Sequence, residues 1–138
     1  MIYLFIGDDA KNKVLSYEKF IKSIPKEEEI FFISRNNFNK MQIESLYSGS
    51  SLFFAKSAVV FAHILEYEEN RDFILEKLNL MGESTNSFIF LEAKLNKPIL
   101  DAFKKVEPKR LQINIFQLPK EKKEKFDNFL VANALAEK

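Results

Sequence analysis

Short apolar runs alternate along this chain with longer stretches in which apolar residues recur at helical spacing. Five of the short runs have the length and the β-branched or aromatic content of strands. They are Ile2–Ile6, Ile30–Ile33, Ala58–Ala62, Phe88–Leu91 and Leu111–Phe116. The first run is unbroken, which is typical of a strand buried on both faces. The last run alternates with polar residues, which is typical of an edge strand.

Five helical stretches separate or follow these runs. Four are predicted over Ala10–Ile24, from Asn36 or Asn37 as N-cap to Gly49, over Arg71–Met81 and over Pro98–Val106, and a fifth begins at Pro119. Strands that alternate with helices predict a three-layer α/β sandwich, with a mainly parallel five-stranded sheet between helices. We expect one domain over residues 1–138. The apolar stripe of the first helix is predicted to comprise Val14, Leu15, Phe20, Ile21 and Ile24.

Composition then narrows the classes of function. The chain has 138 residues, of which 46% are apolar and 15 are Phe, so a core can form without disulfides or metal. It has no cysteine, which excludes zinc-thiolate sites and cysteine nucleophiles and fits a reducing, cytoplasmic compartment. Its net charge of +1 lacks the basic excess of a DNA-binding domain, so only weak DNA contact is expected. No apolar run approaches the ~20 residues of a membrane span, and no membrane contact is expected.

The turn after the first strand is where α/β folds of this kind bind phosphates. Here it runs Gly7-Asp8-Asp9-Ala10-Lys11-Asn12-Lys13, with one glycine and without the Lys-Ser/Thr pair of a phosphate loop. Two carboxylates would repel an anion at the start of the helix. We therefore predict that Asp8 or Asp9 caps the first helix and that no cofactor binds.

The same acidic pair leaves a second hypothesis open. Phosphoacceptor receiver domains are α/β domains of similar length with an acidic pair after the first strand, but they also need an acceptor Asp after the third. This chain continues there as His63-Ile64, and its fourth strand ends Leu91-Glu92-Ala93. A receiver-like phosphoacceptor or nucleotide-binding α/β domain is kept as the alternative.

The remaining polar residues do not predict a catalytic or metal site. His63 is the one histidine, and no nucleophile or orienting carboxylate is evident for it. Glu92 and Asp101 look unpaired, and we see no metal-ligand spacing. We therefore expect a half-buried or surface histidine, followed by an exposed loop that carries Glu66, Glu68 and Glu69.

A loop between the second helix and the third strand carries large apolar side chains. Gly49, Ser50 and Ser51 are typical of a surface loop, but Leu52-Phe53-Phe54 follow them directly. Apolar side chains in such a loop either pack under the domain or contact a partner. The pattern by itself leaves both interpretations open.

At this loop the sequence resembles the N-terminal domain of the delta subunit of bacterial DNA polymerase III, which is the wrench of the sliding-clamp loader. Four fragments carry the resemblance, and their order and spacing are more specific than any one of them. They are Met1–Asp9 with its Gly-Asp-Asp turn, Ser51-Leu52-Phe53 with Lys56 and the Val59-Val60-Phe61 strand, Leu65-Glu66-Tyr67 with Phe90–Lys97, and Leu118-Pro119-Lys120-Glu121.

The resemblance implies a degenerate AAA+/P-loop-like domain that neither binds nor hydrolyses ATP. In this family, the Leu and Phe of a Ser-Leu-Phe motif enter a hydrophobic pocket of the β sliding clamp, which implies that role for Leu52 and Phe53. Phe54 would enlarge this wedge, and Leu46 and Tyr47 of the preceding helix would flank it. Other clamp-loader subunits would be contacted only through lid and collar domains that these 138 residues do not include. The implied function is a non-catalytic accessory to the polymerase, which is a nucleotidyltransferase.

Overall fold

The predicted strands and helices form over most of their lengths in a computed structural model that describes residues 1–48 and 56–118. Each strand differs from its predicted bounds by at most one residue at either end. The helix predicted from Pro119 lies outside the described residues. The elements are β1 (Ile2–Ile6), α1 (Ala10–Lys22), β2 (Glu29–Ile33), α2 (Lys40–Tyr47), β3 (Ser57–Ala62), α3 (Glu68–Glu83), β4 (Ser87–Leu91), α4 (Lys97–Lys104) and β5 (Leu111–Ile115), with 3₁₀ turns over Arg35–Asn37 and Pro108–Arg110.

The five strands form one parallel sheet in the order β2-β3-β4-β1-β5. The first strand of the chain thus lies near the centre, where Leu4 is in register with Phe90 of β4 and Ile113 of β5. β5 is an edge strand, as its alternating sequence predicts. The fold is an α/β sandwich around a five-stranded parallel sheet. It is not that of a receiver, because receivers have the strand order 2-1-3-4-5. The receiver-like hypothesis is therefore wrong.

The direction of each crossover decides which face a helix covers. The chain goes from β1 to the far edge through α1 and returns through α2, α3 and α4. Because such crossovers are right-handed, α1 lies on one face of the sheet and the other three helices lie on the opposite face. This arrangement confirms the predicted three-layer sandwich.

Each face of the sheet has its own apolar core. The face under α1 is the smaller, and there Phe5, Val60 and Ile89 pack against Tyr17 and Phe20 of the helix. The larger core lies under α2, α3 and α4, where full burial of a large side chain stabilises the fold by about 1.5–3 kcal/mol. Its fully buried side chains include Leu4, Phe61, Phe88 and Phe90 of the strands and Ile43, Ile74, Met81 and Phe103 of the helices.

The predicted apolar stripe of α1 is partly wrong. Val14 and Leu15 are 39% and 52% exposed, whereas Lys13 is only 4% exposed. The inward face instead follows Lys13, Tyr17 and Phe20, which recur at intervals of four and three residues. This spacing places the lysine on the same side of the helix as the aromatic residues.

The predicted starts of two helices are also wrong. Asn39 caps α2 by accepting a hydrogen bond from Gln42 N, while the Asn37 side chain accepts from Ser34 N and donates to Phe32 O. α3 begins at Glu68 rather than Arg71. Glu68 and Glu69 therefore belong to a first helical turn, where the helix dipole favours carboxylates, and not to a loop.

Candidate functional site

The carboxyl ends of β1 and β4 are the place where this sheet would bind a ligand. The two strands are neighbours, but the chain leaves them toward opposite faces of the sheet. In open α/β sheets, ligands bind in the crevice that opens at such a point. Gly7 follows β1 and Glu92 follows β4, so these two residues line what we call the β1–β4 crevice.

The side chain of Lys13 occupies the β1–β4 crevice. Its ammonium donates hydrogen bonds to the carbonyl oxygens of Gly7, at 3.1 Å, and of Glu92, at 2.6 Å. Desolvation by burial lowers the pKa of Lys13, against the opposing effect of the negative charges of Glu92 and Asp8. A cation of the chain itself therefore lies at the position where other folds bind a ligand.

Gly7 serves the packing of the chain rather than the approach of a ligand. Its φ of +123° is one that residues with a side chain rarely adopt. A Cβ at this position would lie 1.9 Å from the carbonyl oxygen of Phe116. Phe116 also donates its N–H to Ile6 O at 2.8 Å and accepts from Asp9 N at 3.0 Å. The chain that follows β5 thus closes the turn.

The acidic pair is engaged in the same turn. Asp9 caps α1, because its side chain accepts from Asn12 N at 3.2 Å and from Asn12 Nδ2 at 2.7 Å. Asp8 accepts from Leu118 N at 2.9 Å. The predicted capping role is confirmed for Asp9. The cavity beside Asp8 holds only about 90 Å³, which is below the roughly 300 Å³ of an ordinary small-molecule site.

Glu92 is a buried carboxylate, which the sequence analysis missed. It is 1% exposed, and its Oε2 accepts hydrogen bonds from Ile64 N at 3.0 Å and from Leu65 N at 3.3 Å. Burial raises the pKa of Glu92 to about 7, although both hydrogen bonds act in the opposite direction. The prediction that Glu92 is unpaired is wrong. The sequence did contain a signal for this pairing. Glu92 follows the central strand β4, and it lies beside the turn that follows the neighbouring strand β3.

His63 lies in that turn, immediately after β3. Its side chain is 51% exposed, as predicted, and its Nδ1 lies 3.1 Å from Oε2 of Glu66. The expectation of no carboxylate within reach is wrong, because the left-handed backbone of His63, with φ of +55°, turns the chain back on itself. Asp101 also has a partner, since its Oδ2 lies 3.1 Å from the ammonium of Lys97.

Leu46, near the end of α2, and Ser57, at the start of β3, lie at the opposite, amino edge of the sheet, and the predicted clamp-contact segment stands between them in the sequence. Leu52, Phe53 and Phe54 lie outside the described residues, so their exposure stays a prediction. Leu46 and Tyr47 are half-buried at the end of α2 and pack against the larger core. Tyr47 also lines an open groove with Leu80, which is 46% exposed on α3.

Asn86 holds the two described ends of this segment. Its Nδ2 donates to the carbonyl oxygen of Leu46 at 2.7 Å, and its Oδ1 accepts from Ser57 N at 2.9 Å. One side chain thus joins the end of α2 to the start of β3. No motif in the sequence indicated this role, because the three residues meet only once β3 and β4 have paired.

Fold and crevice together define a parallel α/β domain in which Lys13 of the chain itself occupies the crevice at the carboxyl ends of β1 and β4. No described helix is long and apolar enough to cross a membrane. No protein-family model and no curated protein matches the chain. Among solved structures, the chain is similar to a DNA polymerase III gamma subunit-related protein from Thermotoga maritima, with 15% sequence identity and a TM-score of 0.47. The similarity covers 87% of this chain and 42% of that protein, so this chain spans less than half of its neighbour's length.

Proposed function

We propose that this chain is a delta-type clamp-binding domain that holds the bacterial β sliding clamp and favours its opening during DNA replication. Leu52 and Phe53 are the anchors that enter the clamp, and Phe54, Leu46 and Tyr47 flank them. The domain is a non-catalytic accessory to the polymerase. The resemblance of Ser51-Leu52-Phe53 and its surroundings to the delta wedge supports these roles.

The observation that carries the proposal is the buried Lys13 in the β1–β4 crevice. A nucleotide there would have to displace an ammonium from two carbonyl oxygens, 3.1 and 2.6 Å away. It would also meet the turn at Gly7, which the backbone of Phe116 closes. A P-loop-like domain without room for its nucleotide fits a binding module better than a nucleotide hydrolase.

Hydrogen bonds at the amino edge of the sheet support the proposed location of the clamp contact. Asn86 joins Leu46 and Ser57, so the segment between α2 and β3 starts and ends on rigid elements. Fixed ends reduce the conformational entropy that the segment loses on binding. These described ends of the segment lie at the end of the sheet opposite the crevice, so clamp binding beside them would not depend on a nucleotide in this domain.

Binding alone accounts for clamp opening if the anchors contact the open ring better than the closed ring. A ligand shifts a conformational equilibrium only by its differential affinity for the two states. Leu and Phe are suitable anchors, because truncation of a buried apolar anchor typically costs about 2 kcal/mol or more of binding energy.

The test is the affinity of the chain for the β sliding clamp of the same source, measured by calorimetry with the wild type and the Leu52→Ala/Phe53→Ala variant. We expect a loss of roughly a thousandfold or more, since each 1.4 kcal/mol is about tenfold. The matched control is Leu15→Ala, which removes an exposed leucine from α1, and its affinity should equal that of the wild type.

Urea unfolding of the same proteins separates a wedge from a buried loop. Exposed anchors leave the urea midpoint of the double variant nearly unchanged, whereas burial under the domain costs about 2–5 kcal/mol for each side chain. A large fall in the midpoint, with unchanged affinity of the folded fraction, would refute the wedge.

Calorimetry with ATP and Mg²⁺ addresses the nucleotide-binding alternative. We expect no heat of binding, because Lys13 and the backbone of Phe116 occupy the phosphate position. A dissociation constant in the micromolar range would show that the crevice opens, and it would favour the nucleotide-binding alternative.

A further inference from the structure

A cluster of three metal-ligand side chains lies beside the crevice, at the carboxyl ends of β3 and β4. It comprises His63 and Glu66 of the turn after β3 and Glu92 after β4. One ligand atom from each residue lies within 4.8 Å of the other two. The clamp-binding proposal does not use these residues.

The spacing of the two outer groups suits a shared ion. Nδ1 of His63 lies 3.1 Å from Oε2 of Glu66. Two ligands at the 2.0–2.2 Å typical of Zn²⁺ stand about 3.3–3.6 Å apart around a tetrahedral centre, which is a few tenths of an ångström more than this separation. A cation could therefore replace the hydrogen bond between these side chains with little movement of either one.

Glu92 is the observation that distinguishes this cluster from an ordinary group of surface charges. Its side chain is 1% exposed, and both of its hydrogen bonds reach Oε2. Within residues 1–48 and 56–118, no donor reaches Oε1. Glu92 and Glu66 also line the same open cavity, of about 230 Å³. A buried carboxylate oxygen without a donor is costly, and a cation would satisfy it.

We propose that His63, Glu66 and Glu92 bind one divalent transition-metal cation of the Zn²⁺ class. One imidazole nitrogen and two carboxylates make a ligand set that Zn²⁺ accepts, and a fourth position stays open to water. Mg²⁺ prefers six oxygen ligands and suits this set poorly. The two carboxylates together balance the charge of the ion.

Nearby cations limit the affinity of this site without abolishing it. Arg71 and Lys94 line the same cavity, and the ammonium of Lys13 bonds the backbone oxygen of Glu92. Their side chains carry positive charge and oppose a metal ion. A bound ion would tie the turn after β3 to the end of β4, and it would stabilise the fold by an amount that grows with the logarithm of the free metal concentration once this exceeds the dissociation constant.

The direct test is a titration of the untagged chain with ZnCl₂, followed by calorimetry and by NMR of the histidine ring nitrogens. The chain has one histidine, so its ring signals report His63 without assignment. We expect one Zn²⁺ per chain and a large shift of the Nδ1 signal. MgCl₂ at the same concentration should leave that signal unchanged.

Three conservative variants identify the ligands. Glu92→Gln keeps an oxygen for the N–H groups of Ile64 and Leu65, and His63→Asn tolerates the left-handed backbone better than an apolar residue. These two variants and Glu66→Gln should each weaken Zn²⁺ binding at least tenfold. Glu68→Gln, in the first turn of α3, removes an exposed carboxylate outside the cluster and should bind like the wild type.

Two results would overturn the proposal. One is the lack of saturable Zn²⁺ binding up to about 1 mM, where the binding energy is only about 4 kcal/mol. The other is equal affinity in the wild type, His63→Asn and Glu66→Gln. Because His63 and Glu66 are exposed, these two variants retain the core even if Glu92→Gln fails to fold.

Discussion

The ammonium of Lys13 donates a hydrogen bond of 2.6 Å to the carbonyl oxygen of Glu92, across 79 residues of sequence. This bond joins the first turns of α1 to the end of β4, the strand that neighbours β1 in the sheet. One lysine therefore fixes the helix to the sheet and occupies the crevice in which a related fold would bind a ligand.

Replacement of Lys13 by Met should destabilise the fold by about 2–4 kcal/mol. The variant keeps the aliphatic stem but loses two charge-assisted hydrogen bonds, each of which contributes about 1.5–3 kcal/mol, while relief from burying a charge offsets part of the loss. The urea midpoint measures the effect. Lys11→Met, at an exposed position in the same turn, is the control. Equal midpoints for the two variants would contradict a structural role for the Lys13 ammonium.

Glu92 should make stability fall as the pH rises. Its pKa is about 7 in the folded chain against an ordinary value of 4.5, so the folded state holds the proton more tightly. The stabilisation from this proton is complete below pH 4.5 and is lost as the pH rises through 7, by about 3 kcal/mol in all. Glu92→Gln removes this dependence and keeps an acceptor for the N–H of Ile64.

The measurement is the urea midpoint of both proteins from pH 5 to pH 8, with EDTA present so that no metal contributes. The variant should gain stability relative to the wild type as the pH rises. The charges of Lys13 and Glu66, as well as the imidazole of His63, are common to both proteins, so their effects largely cancel. Parallel curves would mean that Glu92 ionises normally in the folded chain.

Asn86→Ala should weaken both the fold and the proposed clamp contact. The Asn86 side chain satisfies Leu46 O and Ser57 N, and its loss leaves two partly buried backbone groups without a partner, at about 1–3 kcal/mol each. Clamp affinity of the folded chain should fall as well, because the ends of the contact segment are released. Asn79→Ala, an exposed change on α3, should alter neither the urea midpoint nor the affinity. If fully folded Asn86→Ala binds the clamp with wild-type affinity, clamp binding does not require the ends of the contact segment to be held by Asn86.

Gly7→Ala should destabilise the chain by more than about 2 kcal/mol. The new Cβ would lie 1.9 Å from Phe116 O, and the φ of +123° is strained for alanine. Gly82→Ala provides the comparison, because its Cβ meets only side-chain atoms, of Val106 at 3.1 Å, Arg110 at 3.7 Å and Ile2 at 3.9 Å, in an ordinary helical conformation. The midpoint of thermal unfolding should therefore be well below that of Gly82→Ala in the Gly7→Ala variant. The reverse order would mean that the turn after β1 can rearrange.

Local patterns predicted the strands better than the ends of the helices. Strand runs such as Ile2–Ile6 are short, apolar and bounded by turn residues, so their limits follow from sequence. Helix starts depend on which of several polar residues caps the backbone. Asn36, Asn37 and Asn39 are equivalent by type, and the path of the chain after β2 selects Asn39. The candidate site was predicted only in part, because Asp9 acts within its own turn whereas Lys13 and Glu92 act across the sheet.

The sequence by itself determined the α/β class, the parallel strands and the lack of a phosphate-loop motif in the turn after β1. Periodicity and turn composition are local properties of the chain. Only the tertiary structure decided that Lys13 is buried in the crevice, that Glu92 comes close to His63, and that Asn86 joins α2 to β3. The bond of Lys13 to Glu92 joins residues 79 positions apart, the bond of Asn86 to Leu46 joins residues 40 apart, and the bond of Glu92 to Ile64, the neighbour of His63, joins residues 28 apart. They arise because β1, β3 and β4 pair in an order that differs from their order in the chain, which brings the ends of distant strands together.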